Sequence, residues 1–128
     1  MSAYERVPVA APPEAVVAAL RDALGERGIS EYAVVDHGHD MAAAGAPAFP
    51  AWTLIFGNPA AGAKLLAHDL AAAVDIPLRV AVIGTREGSE IVLRNMRSLL
   101  SDDIADAFND VLRALAADAR GRATEPPG

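Results

Sequence analysis

The sequence predicts an α+β domain in the order β-α-β-β-α-β-β-α, with a mostly antiparallel, curved sheet and its helices packed on one face. Three observations predict it. Strand-like runs adjoin at two places with no helix between them, whereas a parallel sheet needs a long crossover at every step. Three segments carry apolar residues at three- and four-residue spacing, the mark of an amphipathic helix. The 128 residues are enough for one hydrophobic core and too few for two ordinary domains.

The elements follow in order. YERVPVA alternates, with Val7 and Val9 on one face and Tyr4 and Arg6 on the other, and Pro8 marks an edge strand because proline cannot donate to a ladder. In APPEAVVAALRDALGERG, Val16, Leu20, Ala23 and Leu24 share a helical stripe; Pro13 suits its first turn and Gly28 its end. ISEYAVVDH alternates again, placing Tyr32, Val34 and Asp36 on one face and Ala33, Val35 and His37 on the other. GHDMAAAGAPAFP reads as a loop with one helical turn around Met41. WTLIFG reads as a buried strand, and Leu65, Leu66, Leu70, Ala73 and Val74 predict a helix over residues 60–74 that ends before Pro77. LRVAVIG and EIVLRN are two strands joined through TREGS as a hairpin. The last helix starts after Ser101 as N-cap, with Asp102 and Asp103 at the positive end of its dipole and a stripe of Ile104, Phe108, Val111, Leu112 and Leu115. One domain is expected over residues 1–119, with a disordered tail over 120–128 ending in GRATEPPG.

Composition excludes several function classes. Just over half the residues are apolar, but alanine inflates that share and only six are aromatic, so the core is built from Val, Leu, Ile and Ala. The net charge is −6 and the scattered arginines form no basic block, so the chain lacks the positive field that a nucleic-acid binder needs. With no cysteine there is no disulfide, thiolate nucleophile or cysteine metal site. No run approaches the ~20 apolar residues of a membrane span, and none suits a signal peptide, so a soluble, cytoplasmic protein with no nucleic-acid or membrane partner is expected.

FGNPAAGAK comes close to a phosphate-binding loop. Gly57 and Gly62 have the right spacing, but Ala63 stands where the lysine belongs, Lys64 comes one residue late, and Leu65 replaces the magnesium-binding hydroxyl. One residue turns a helical side chain by about 100°, and Pro59 removes a backbone donor from the cradle. A strand-to-helix turn fits better, with Asn58 as N-cap and Pro59 at the first helical position.

The histidines offer the only metal chemistry. His37 and His39 lie beside Asp40, and His68 precedes Asp69; imidazole with carboxylate suits zinc or another divalent cation, although the spacing matches no established motif. Asp36 with His37 is the best local acid–base pair, yet neighbours on a strand point to opposite faces unless the strand ends there. Ser30, Ser89, Ser98 and Ser101 lack a nucleophile setting. No residue is assigned a catalytic role, and no cofactor is named.

FGNPAAGAKLL followed by DIPLRVAV resembles the bacterial family called domain of unknown function 302, through Phe56, Gly57, Asn58, Pro59, Gly62, Ile76, Pro77, Leu78 and Arg79. GISEYAVVDH resembles the family's second strand, which often ends in Asp-His, here Asp36 and His37. The resemblance covers roughly residues 4–118. It implies an α+β fold with two helices on a curved antiparallel sheet, leaves dimerisation open, and carries no established activity. RNMRSLLSDD departs from the family pattern: it keeps Asn95 but lacks the proline and the later histidine.

The expected function is therefore a non-enzymatic small-ligand-binding or regulatory module. Its pocket is expected between the sheet and residues 37–50, with Asp36, His37, Asn58 and Arg79 as polar markers and Phe56 as apolar wall. The alternatives are a metal-assisted enzyme using His37, His39 and His68, and an interaction scaffold using the stripe from Ile104 to Leu115.

Overall fold

In a computed structural model of the chain, which describes residues 2–125, nine main elements follow one another. They are β1 (Tyr4–Val9), α1 (Pro13–Glu26), β2 (Ser30–Asp36), α2 (His37–Ala43), β3 (Ala51–Gly57), α3 (Pro59–His68), β4 (Leu78–Thr85), β5 (Gly88–Arg94) and α4 (Asp102–Thr124). Short 3₁₀ turns cover Leu70–Val74 and Met96–Ser98. The strands form one sheet in the spatial order β1-β5-β4-β3-β2, and every neighbouring pair is antiparallel. β2 to β5 form a meander. β1 then lies along β5, so Pro8 sits on an edge strand where its missing donor costs no ladder bond.

The period-2 pattern of the strands sorts their side chains. Val9, Leu54, Phe56, Leu78, Val80, Val82, Ile91 and Leu93 face the helices and are buried. α1 and α4 lie side by side over this face and contribute Val16, Leu20, Leu24, Leu112 and Leu115. Alanines at 19, 23, 105, 116 and 119 are buried among them and keep the helices close. The opposite face carries Ile55, Ala81, Ile83 and Val92, each only half-buried.

Three local readings are corrected. Residues after Asp36 form a helix of about two turns rather than a loop with one helical turn around Met41, and the Asp36 carboxylate accepts the His39 N–H as N-cap. That helix ends where Gly45 takes φ 76° and the Ala46 N–H reaches the Met41 carbonyl. The helix expected over 60–74 stops at His68: Asp69 is extended and recaps the chain through Ala71, starting the 3₁₀ turn. Ser101 holds the N-cap position of α4 without a side-chain bond to it. α4 runs past residue 119 to Thr124, since Ala119 is buried, Ala123 packs on the core, and Arg122 pairs with Asp118 and with Glu26 of α1. Residues 126–128 of the expected tail lie outside the described residues.

The alternation read for β2 is also broken. Glu31 pairs with Phe56 and Ala33 with the adjacent Ile55, so Tyr32 is the extra residue of a β-bulge. Downstream the register is regular again, with Val34 opposite Leu54 and Asp36 opposite Trp52.

Candidate functional site

The near-miss phosphate loop resolves into a strand-to-helix turn. β3 ends at Gly57, and the Asn58 side chain accepts from the N–H groups of Ala60 and Ala61. Those donors, which a phosphate would need, are already used by the protein. Pro59 occupies the first helical position, where its missing N–H is no loss.

This turn sends α3 out from the end of the sheet, and a cavity of about 730 Å³ opens between α3 and α4. Phe56, Gly57 and Asn58 form its floor at the end of β3. Ala61, Gly62 and Leu66 line the α3 side, and Phe108, Val111 and Ala114 line the α4 side. Ile76, Pro77 and Leu78 close one flank as the chain enters β4, while Ile29 and Tyr32 close the other. The walls are overwhelmingly apolar, and the volume falls within the range of small-molecule sites.

Among the described residues Arg27 is the only cation on the wall. Its guanidinium donates to the Ala23 carbonyl and to Asp118 at 2.5 Å, so it is already neutralised. Asp118 also accepts from Arg122 at 2.8 Å, and Arg122 pairs with Glu26. Hydrogen bonds from Arg122 and Arg27 hold the Asp118 carboxyl below its usual range, and Arg122 does the same for Glu26. The four groups form an ionic clasp between the end of α1 and α4. Tyr32 and Asn58 supply the other polar side chains of the wall. The bulge turns the Tyr32 ring across Gly57, where a Cβ would stand 3.2 Å from Tyr32 Cε2, and its hydroxyl has no hydrogen-bond partner among the described residues.

The residues singled out in the sequence separate. Phe56 and Asn58 line the cavity. Asp36 and His37 lie at the opposite end of the same strands, where Asp36 caps α2 and His37 Nε2 is 2.7 Å from Thr53 Oγ1. Arg79 is exposed on the uncovered face of the sheet and makes no ion pair among the described residues. His39 is exposed in α2 and His68 at the end of α3; no group of three His, Asp or Glu side chains gathers as a metal-ligand set among the described residues. No residue from 37 to 50 lines the cavity. Within the Ile104–Leu115 stripe, Leu112 and Leu115 belong to the core while Phe108 and Val111 face the cavity. Arg27 and Leu66 carry no sequence signal of a site; Tyr32 carried one, as the single aromatic ring of β2.

Asn95, the residue kept from the family pattern, is buried, and its side chain accepts from Arg97 N and from Asn109 Nδ2. It therefore fixes the exit of β5 to α4 and is not among the residues that line the cavity.

Fold and site together define a two-layer α+β domain: an open antiparallel sheet under two helices, with an apolar side cavity at one end. The chain belongs to the family described as Domain of unknown function DUF302, whose model matches residues 5–123. Among solved structures it is similar to an uncharacterized conserved protein DUF302 from Bacillus stearothermophilus, with a TM-score of 0.78 and 15% identity over 96% of this chain and 99% of that one. At that identity the likeness speaks for the fold alone. No curated protein matches the sequence. No helix among the described residues is long and apolar enough to cross a membrane.

Proposed function

We propose that this chain is a non-enzymatic, cytoplasmic module that binds a small apolar molecule, or responds to one as a regulator, in the cavity between α3 and α4. The observation that carries the reading is the cavity: about 730 Å³, walled by aliphatic and aromatic side chains and bounded by helices on two sides. Water in such a space finds few partners, and an apolar guest releases it. The residues that matter are then Phe56 and Asn58 with Leu66, Phe108 and Val111, rather than Asp36, His37 and Arg79.

Native mass spectrometry of protein purified without chelator, set against the denatured mass, is expected to show a retained small molecule or an apo protein that takes up Nile red in a saturable 1:1 complex. Ala63→Trp, which fills the cavity from its exposed rim, is expected to lower that uptake at least tenfold. Absence of both retained mass and saturable uptake would overturn the reading.

A second copy of the chain is the partner we propose for the uncovered sheet face. Ile55, Ala81, Ile83 and Val92 give it an apolar centre, with Arg79, Glu90 and Arg94 around them.

A further inference from the structure

The walls of the cavity restrict the charge of what can enter it. Apart from Arg27 and Tyr32, no lining residue among those described is titratable. Arg27 is bound to Asp118, which in turn is bound to Arg122. Among the described residues no buried side-chain nitrogen or oxygen lacks a hydrogen-bond partner, so the walls hold no hidden polar group for a charged ligand. An anion entering here meets a guanidinium whose charge Asp118 already balances, and the chain's net charge of −6 disfavours its approach. A cation meets no lining carboxylate among the described residues. Two polar atoms remain available at the end of the sheet. They are the Tyr32 hydroxyl, without a partner among the described residues, and Asn58 Nδ2, whose own carbonyl oxygen is used in capping.

Resting on the cavity as the binding site, we propose that its ligand is an uncharged lipophilic molecule with one terminal hydroxyl or carbonyl. The Tyr32 hydroxyl binds that polar end and the apolar body lies between Leu66 and Val111. Neutral rather than anionic amphiphiles are its class because Arg27, the one lining cation among the described residues, is already paired with Asp118. The bulge in β2 is what makes the recognition: a regular strand would carry residue 32 onto one face of the sheet, whereas the extra residue lays its ring across Gly57 at the cavity. Affinity then grows with chain length, by about fourfold per buried methylene.

The test is isothermal titration of the full chain with 1-decanol and with decanoate at pH 8. The proposal expects decanol to bind at least tenfold more tightly than decanoate. Tyr32→Phe should weaken decanol three- to tenfold without a matching change in the melting curve. Asp118→Asn, which releases Arg27, should raise decanoate affinity and leave decanol unchanged. Equal or tighter binding of decanoate by the unaltered protein would overturn the neutral class while leaving the cavity as a binding site. Binding of neither, at concentrations where Nile red also fails, would overturn both. A Tyr32→Phe protein that binds decanol as before would remove the hydroxyl from the recognition.

Discussion

Asn109 shows how one side chain can hold two segments. It is buried in the middle of α4, accepts the Met96 N–H at 2.8 Å and donates to Asn95 Oδ1 at 2.9 Å. Removing it leaves a buried backbone donor without a partner, which costs about 2 kcal/mol. Asn109→Ala is therefore expected to lower stability by roughly that amount in urea denaturation, with an unchanged slope because the surface exposed on unfolding is the same. Nothing in the sequence marks Asn109, since a polar residue within a helical stripe reads as a gap in the pattern. Asn58 was legible because its bonds are local: Asn before Pro at a strand end satisfies donors two and three residues on. Tyr32 lies between these cases. Its ring size was visible, but the bulge that aims it depends on pairing with β3.

α4 carries exposed ion pairs to its neighbours in addition to its buried apolar stripe. Arg113 pairs with Glu5 of β1, Arg122 with Glu26 of α1, Arg27 of α1 with Asp118, and Asp106 with Arg97 beyond β5. Each partner arginine lowers the carboxyl it touches: Arg113 for Glu5, Arg122 for Glu26, Arg97 for Asp106, and Arg122 then Arg27 for Asp118. A carboxyl lowered in the folded state gives stability that is present above its unfolded value and is lost as the pH falls through its folded one. The Tm is thus expected to hold through neutral pH and to drop by roughly a few degrees between pH 5 and pH 2.5. Because these pairs are exposed, 0.5 M NaCl should shrink that drop in a calorimetric series. At this scale the sequence was read well where elements follow their own periodicity and less well at their ends. The 3₁₀ break at Asp69 and the extension of α4 to Thr124 both depend on what the chain meets outside the element.

For the molecule as a whole, the antiparallel order was legible because adjoining strands without a helix leave few ways to pair. The cavity was not. Hydrophobic periodicity reports which side of a helix turns toward a core, but not that α3 and α4 stand apart where their apolar sides meet. Val111 has the same pattern in the sequence as Leu112, yet one is 42% exposed at the cavity and the other 1%. The uncovered sheet face gives the prediction at this scale: light scattering after gel filtration is expected to report a dimer, and Ile55→Glu, placed at the centre of that face, a folded monomer. A monomeric unaltered protein at micromolar concentration would exclude the pairing. One feature of the same sheet reaches beyond ligand and partner. β2 is an outer strand, and an outer strand with a regular ladder offers its free amides to any extended chain that comes alongside. The extra residue at position 32 interrupts that ladder near its start, so the distortion that shapes the cavity also makes this edge a poorer template for an added strand.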